Sequence, residues 1–151
     1  MKRSAKAHWS GDLKQGKGTL TTQSGVLNNV DYSFKARFEE GEKGTNPEEL
    51  LAAAHAGCFT MAVCSMLTQK GLKPEALDAE ATVSMEGLTI TGVHLSITAY
   101  IEDISLSEFT EIVKDAGKNC IISKALNVPI TSEAYCGLLK NLHPTSNDVK
   151  I

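Results

Sequence analysis

Hydrophobic and polar positions alternate over the first forty residues, give way to one long apolar run, and then alternate again. In AKAHWSG, Ala5, Ala7 and Trp9 oppose Lys6, His8 and Ser10, the period of a half-buried strand. A Gly- and Lys-rich turn, KQGKG, leads into a second strand, GTLTTQSG. DYSFKARF sets Tyr32, Phe34, Ala36 and Phe38 on one face and Ser33, Lys35 and Arg37 on the other. This predicts a third strand and an antiparallel meander.

The apolar run is GTNPEELLAAAHAGCFTMAVCSML, residues 44–67. Asn46 suits an N-cap, Pro47 the first helical position, and Glu49 completes a capping box. The predicted helix runs to about Lys70, where Gly71 and Pro74 stop it. Strands follow: Ala79, Ala81, Val83 and Met85 alternate with polar residues, as do Val93, Leu95, Ile97, Ala99 and Ile101. EGLTITG supplies the turn that joins them as a hairpin. Ser107 is the expected cap of a helix with Phe109, Ile112, Val113 and Ala116 at i, i+3, i+4 and i+7. Cys120 opens a short helix, CIISKAL, and Val128, Ile130, Ser132 and Ala134 alternate as a last strand. The tail from Leu138 shows no period.

The class is therefore α+β, with antiparallel strands on both sides of a long central apolar helix. A helix apolar all round must be buried all round, and about six strands from one chain cover it poorly. A homodimer, with both long helices packed inside paired sheets, is the economical expectation.

Composition narrows the function. A chain of 151 residues with 42% hydrophobic and 22% charged positions is long enough for one domain and is not of the disordered class. Net charge is −3, and no basic cluster is interleaved with aromatics, which argues against a nucleic-acid partner. MKRSAKAHWSGDL has a basic tip with no apolar stretch behind it, so a cytoplasmic protein is expected. Leu50 to Leu67 is the one transmembrane candidate, but it carries His55, Gly57, Thr60 and Ser65 and much Ala, so no membrane partner is expected.

Four cysteines, 58, 64, 120 and 136, form no CxxC pair and no zinc-type spacing, which leaves packing, redox or nucleophilic roles. Cys58 shares a helix face with Leu51, Ala54, His55, Met61, Ala62 and Ser65, and packing alone would explain it. Cys64 lies about 9 Å further along the axis, too far to bridge it. Against simple packing, Gly57 costs about 1 kcal/mol of helix stability relative to Ala and suggests close approach of a backbone or ligand. Cys120 stands at a helix start, where amides favour a thiolate. Cys136 reads as packing.

A reactive thiol needs a nearby cation. Arg37 is the best candidate, though a solvated strand arginine would look the same. Glu48 could orient its guanidinium in a bidentate pair or merely complement the helix dipole. His55, one turn before Cys58, is either a Cys–His activator or a packing histidine. No GxSxG, P-loop or GxGxxG is present.

TNPEELLAAAHAGCF, with Cys58 ten residues after Glu48, and AGKNCIIS resemble the OsmC/Ohr family of organic hydroperoxide reductases. AHWSGDLKQGKGTLTTQSGVLN and KARFEEGEKGTNPEEL are similar to its OsmC branch, and the resemblance spans about residues 5–135. It implies one OsmC-like domain over 1–151, folded as an intertwined homodimer with active sites at the subunit interface. It also implies that Cys58 is the peroxidatic thiolate, Cys120 the resolving thiol, and Arg37 and Glu48 the residues that hold and activate Cys58. Ile121 stands where the family commonly has Pro, and Gly57 where Ala is frequent.

The implied activity is reduction of organic hydroperoxides to alcohols, with an external dithiol, of lipoyl type in the family, as reductant. No metal, flavin or haem cofactor is expected. On a straight helix Glu48 and Cys58 lie about 15 Å apart, too far for one arginine to bridge. The expectation is that Glu48 serves the Cys58 of the other subunit. The rivals are a binding protein with an apolar dimer cleft and a redox sensor that forms the same disulfide without turnover.

Overall fold

A computed structural model describes residues 1–137, and the non-periodic tail from Leu138 lies outside them. The chain divides into two compact units, Met1–Leu50 and the part from Leu51 onward.

In the first unit β1 (Ala5–Ser10), β2 (Lys17–Thr22) and β3 (Val30–Tyr32) form an antiparallel meander in that order. Gly18 is paired with Trp9 on one side and Tyr32 on the other. The two rings meet with centroids 5.4 Å apart, and a Cβ on Gly18 would lie 2.7 Å from Trp9 Cε3. Only glycine leaves room for them.

The third strand stops at Tyr32, short of its predicted end. Ser33 is extended, its Oγ accepts the Ala36 N–H at 3.0 Å, and a short helix α1 (Phe34–Phe38) begins. The aromatic spacing that mimics a strand also places Phe34 and Phe38 at i, i+4, with ring centroids 4.8 Å apart. The serine cap selects the helix, so Arg37 stands on α1 rather than on a strand's polar face.

The long helix α2 (Pro47–Gln69) has its predicted cap: Asn46 Oδ1 accepts the Glu49 N–H at 2.8 Å. The return half of the box is displaced by one residue, since Glu49 Oε2 accepts from Thr45 Oγ1 at 3.3 Å. At the other end Gly71, at φ +78°, donates to Thr68 O and Leu72 N–H donates to Leu67 O. This is a Schellman closure, and it needs glycine at the left-handed position.

In the second unit β4 (Ala76–Glu86) and β5 (Thr89–Tyr100) form the expected hairpin around Gly87 and Leu88. Helix α3 (Leu106–Asn119) is capped by Ser105, not Ser107, because Ser105 and Glu108 have capping-box spacing and Ser105 Oγ accepts the Glu108 N–H at 3.1 Å. After α4 (Ile121–Ala125), β6 (Ile130–Cys136) returns beside β5 in parallel, giving the order β4-β5-β6. The expectation of purely antiparallel sheets is corrected here. The path from β5 to β6 runs through α3 and α4, the crossover a parallel pair requires.

Phe59, Val63 and Leu67 of α2 join Val93, Leu95, Ile97 and Ala99 of β5 and Phe109, Ile112, Val113 and Ala116 of α3 in one core. Within the single chain α2 is not buried all round: His55, Phe59, Val63 and Leu67 make one buried stripe, and Met61 on the opposite face is 75% exposed. By length and composition α2 could cross a membrane, yet this stripe lies in a protein core. Cys136, expected to pack, is exposed at the end of β6. The fold is α+β, with an antiparallel sheet, a mixed sheet and one long helix.

Candidate active site

The residues singled out by sequence fall into two groups, one in each unit. In the first, α1 presents Arg37 and the first turn of α2 presents Glu48. Arg37 Nε lies 3.1 Å from both Glu48 oxygens, and its Nη2 also donates to Oε1. Such a fork fixes the plane of the guanidinium. Hydrogen bonding to Arg37 holds the Glu48 carboxyl below the usual carboxylate range, and the same bond raises Arg37. Phe38 lies under the guanidinium, with Cζ 5.2 Å from the ring centroid. Arg37 is therefore a fixed cation whose charge does not vary over any ordinary pH.

In the second unit Cys58 is half-buried against the core and Cys120 is buried within it, both as free thiols. Cys120 ends α3 and caps α4, so its sulfur accepts the Ser123 N–H at 3.4 Å. Cys64 is a half-buried free thiol on α2. A Cβ on Gly57 would meet nothing within 4 Å, so the close approach expected there is absent among the described residues.

His55 departs from the activator reading and sits where a packing histidine would, with a polar partner added. It is fully buried, and its Nε2 lies 2.7 Å from Ser123 Oγ rather than against Cys58. Ser123 Oγ lies 3.0 Å from Cys120 Sγ, so three side chains from α2, α4 and the α3–α4 junction form one chain of contacts. Burial pushes the His55 pKa down. Ser123 was not singled out by sequence. Its signal was the Cys-x-x-Ser spacing, which places a residue three positions after a cap where its N–H meets the cap's side chain. Among the described residues no group of three His, Cys, Asp or Glu could hold a metal ion.

The OsmC-like protein family model matches residues 40–134, which include Glu48, Cys58 and Cys120. Peroxiredoxin OsmC of Escherichia coli (strain K12) is 46% identical over 133 residues, covering 85% of this chain and 92% of the relative. Organic hydroperoxide resistance protein OhrB of Bacillus subtilis is 31% identical over 111 residues, 72% of this chain and 80% of the relative. Among solved structures, OhrB of B. subtilis superposes with a TM-score of 0.62 at 26% identity, covering 89% of this chain and 98% of that one. An organic hydroperoxide resistance protein OsmC from Legionella pneumophila gives 0.66 at 23% identity, covering 91% and 98% respectively, and supports the fold. With a family model spanning most of the chain and a relative nearly half identical along almost its whole length, this chain belongs to the OsmC-like protein family.

Proposed function

We propose that this chain is a cysteine-based peroxidase that reduces organic hydroperoxides to alcohols. The observation that carries the reading is the 46% identity to a protein named peroxiredoxin, of which the match covers 92%. Relatives named for organic hydroperoxide resistance point to the substrate class.

The Cys58 thiolate attacks the O–O bond, releases an alcohol and becomes a sulfenic acid. Arg37 stabilises both the thiolate and the developing alkoxide, and Glu48 holds Arg37 in place. Cys120 condenses with the sulfenic acid to a disulfide, which an external dithiol reduces. The apolar surroundings of Cys58 favour an organic hydroperoxide over hydrogen peroxide.

The active form in this proposal is a homodimer. From Leu50 to Gln69 α2 carries no charged residue, yet its Ala53, Ala54, Gly57, Met61 and Ser65 are exposed. Among residues 1–50 only Gly16 and Gly18 are buried. Both surfaces gain by being covered, and a second copy offers the same two surfaces in return. Because α2 is unbroken, helix rise separates Glu48 from the Cys58 of its own chain by about 15 Å. Arg37 and Glu48 of one subunit therefore serve Cys58 of the partner.

Steady consumption of cumene hydroperoxide with a dithiol, abolished by Cys58→Ser, is the expected result. Disulfide formation without turnover would make the protein a redox sensor. Absence of both, with an apolar ligand retained, would make it a binding protein.

A further inference from the structure

His55 is an expensive residue to bury for packing alone. Its Nδ1 is a fully buried side-chain polar atom with no hydrogen-bond partner among the described residues. A buried unpaired group of this kind asks for an explanation beyond shape. Its other nitrogen is committed to Ser123, and Ser123 in turn to Cys120.

We propose that His55 and Ser123 form a donor chain that positions Cys120 for attack: His55 Nε2–H donates to Ser123 Oγ, and the Ser123 hydroxyl donates to Cys120 Sγ. The tautomer follows from the unpaired nitrogen. An orphaned N–H is rarer in protein interiors than an under-used acceptor, so the proton sits on Nε2 and the bare lone pair on Nδ1. With burial pressing His55 toward its neutral form, that arrangement persists at neutral pH. The Ser123 hydroxyl must then point its hydrogen at sulfur, alongside the Ser123 N–H already there.

Two donors on one sulfur matter most when that sulfur carries charge, since hydrogen bonds to an ionised acceptor are about twice as strong as neutral ones. The proposal rests on the peroxidase reading for its use. Cys120 Sγ forms a bond to Cys58 Sγ as the S–O bond of the sulfenic acid breaks. The thiol proton leaves with the departing hydroxide as water, Cys120 is oxidised and the sulfenic sulfur reduced. His55 and Ser123 exchange no net proton; they favour the ionised sulfur along the way. The other titratable groups on the packed elements are not bonded to the chain. Cys58 of α2 is half-buried, while Asp115 and Lys118 of α3 and Lys124 of α4 are exposed. Asp78, Glu80 and Glu86 lie on the exposed face of β4, and His94 of β5 is joined to Thr131 and Glu133.

The test uses the full chain with Cys58→Ser, Cys64→Ser and Cys136→Ser, which leaves Cys120 as the one thiol. Its rate of reaction with methyl methanethiosulfonate is measured from pH 5 to pH 10. Adding Ser123→Ala is expected to move the midpoint up by about one pH unit and slow the reaction at pH 7 by about tenfold. Ser123→Thr, which keeps the hydroxyl, should restore the parent profile. His55→Phe, which keeps a ring but no donor, should shift it in the same direction as Ser123→Ala. A midpoint unmoved by either Ser123→Ala or His55→Phe overturns the donor chain. Because this protein lacks Cys58, the outcome stands whether or not the chain turns over peroxide.

Discussion

Arg37 on α1 and Glu48 on α2 are locked together through two guanidinium nitrogens, with both carboxylate oxygens 3.1 Å from Nε. The pair matters for its geometry. Lysine would keep the charge but lose the planar fork, and its ammonium would not be held at one orientation. Arg37→Lys is therefore expected to lower kcat/KM for cumene hydroperoxide by about a hundredfold, the scale of losing one preorganised donor at a developing oxyanion. Steady-state assay beside a circular-dichroism melt checks this; activity within about threefold of the parent would remove Arg37 from the mechanism.

The same pair sets a sign for acid stability. Hydrogen bonding to Arg37 lowers the folded-state pKa of Glu48, so its contribution is present above the ordinary carboxylate range and is lost as pH falls through the lowered value. His55 acts in an earlier window. Its folded pKa lies below the usual 6.5, so stability falls as pH drops from 6.5 toward that value, because only the unfolded chain binds the proton freely. Urea midpoints measured from pH 7.5 to pH 3 should decline in both windows. Glu48→Gln should flatten the lower one and leave the upper one.

The exposed stripe of α2 predicts association. Met61, 75% exposed, stands at its centre. Met61→Glu places a charge where a second copy is proposed to pack, and burying an unpaired carboxylate costs several kcal/mol. Sedimentation velocity should show a dimer for the parent chain and a monomer for the variant. A parent chain that sediments as a monomer contradicts the shared-site proposal.

Much of this architecture was legible in sequence because its signals are local. Asn46 and Pro47 at one end and Gly71 and Pro74 at the other announce the bounds of α2, and the alternation at Ala79–Met85 and Val93–Ile101 announces the hairpin. The misreadings share a cause, two local patterns that fit the same residues. Tyr32, Phe34, Ala36 and Phe38 satisfy a strand period, while Ser33 and the Phe34–Phe38 pair satisfy a helix, and the cap wins. Ser105 and Ser107 both precede the apolar run, and only the position of Glu108 separates them. The parallel pairing of β6 and the meeting of His55 with Ser123, 68 residues apart, depend on how distant elements pack, which no local period records.

The Ser33 cap is itself testable. Ser33→Ala removes the acceptor for the Ala36 N–H and should cost about 1 kcal/mol. Because α1 carries Arg37, the loss should appear in peroxidase activity as well as in the urea midpoint. The single tryptophan, Trp9, whose ring lies 5.4 Å from that of Tyr32, reports on the first unit by fluorescence. A change in stability with unchanged activity would separate α1 from the site.

The most direct measurement is mass mapping of the thiols after one equivalent of cumene hydroperoxide. The account predicts one product, a disulfide joining Cys58 to Cys120, with Cys64 and Cys136 still reduced. Recovery of all four thiols unchanged, or oxidation confined to Cys64 or Cys136, would contradict it.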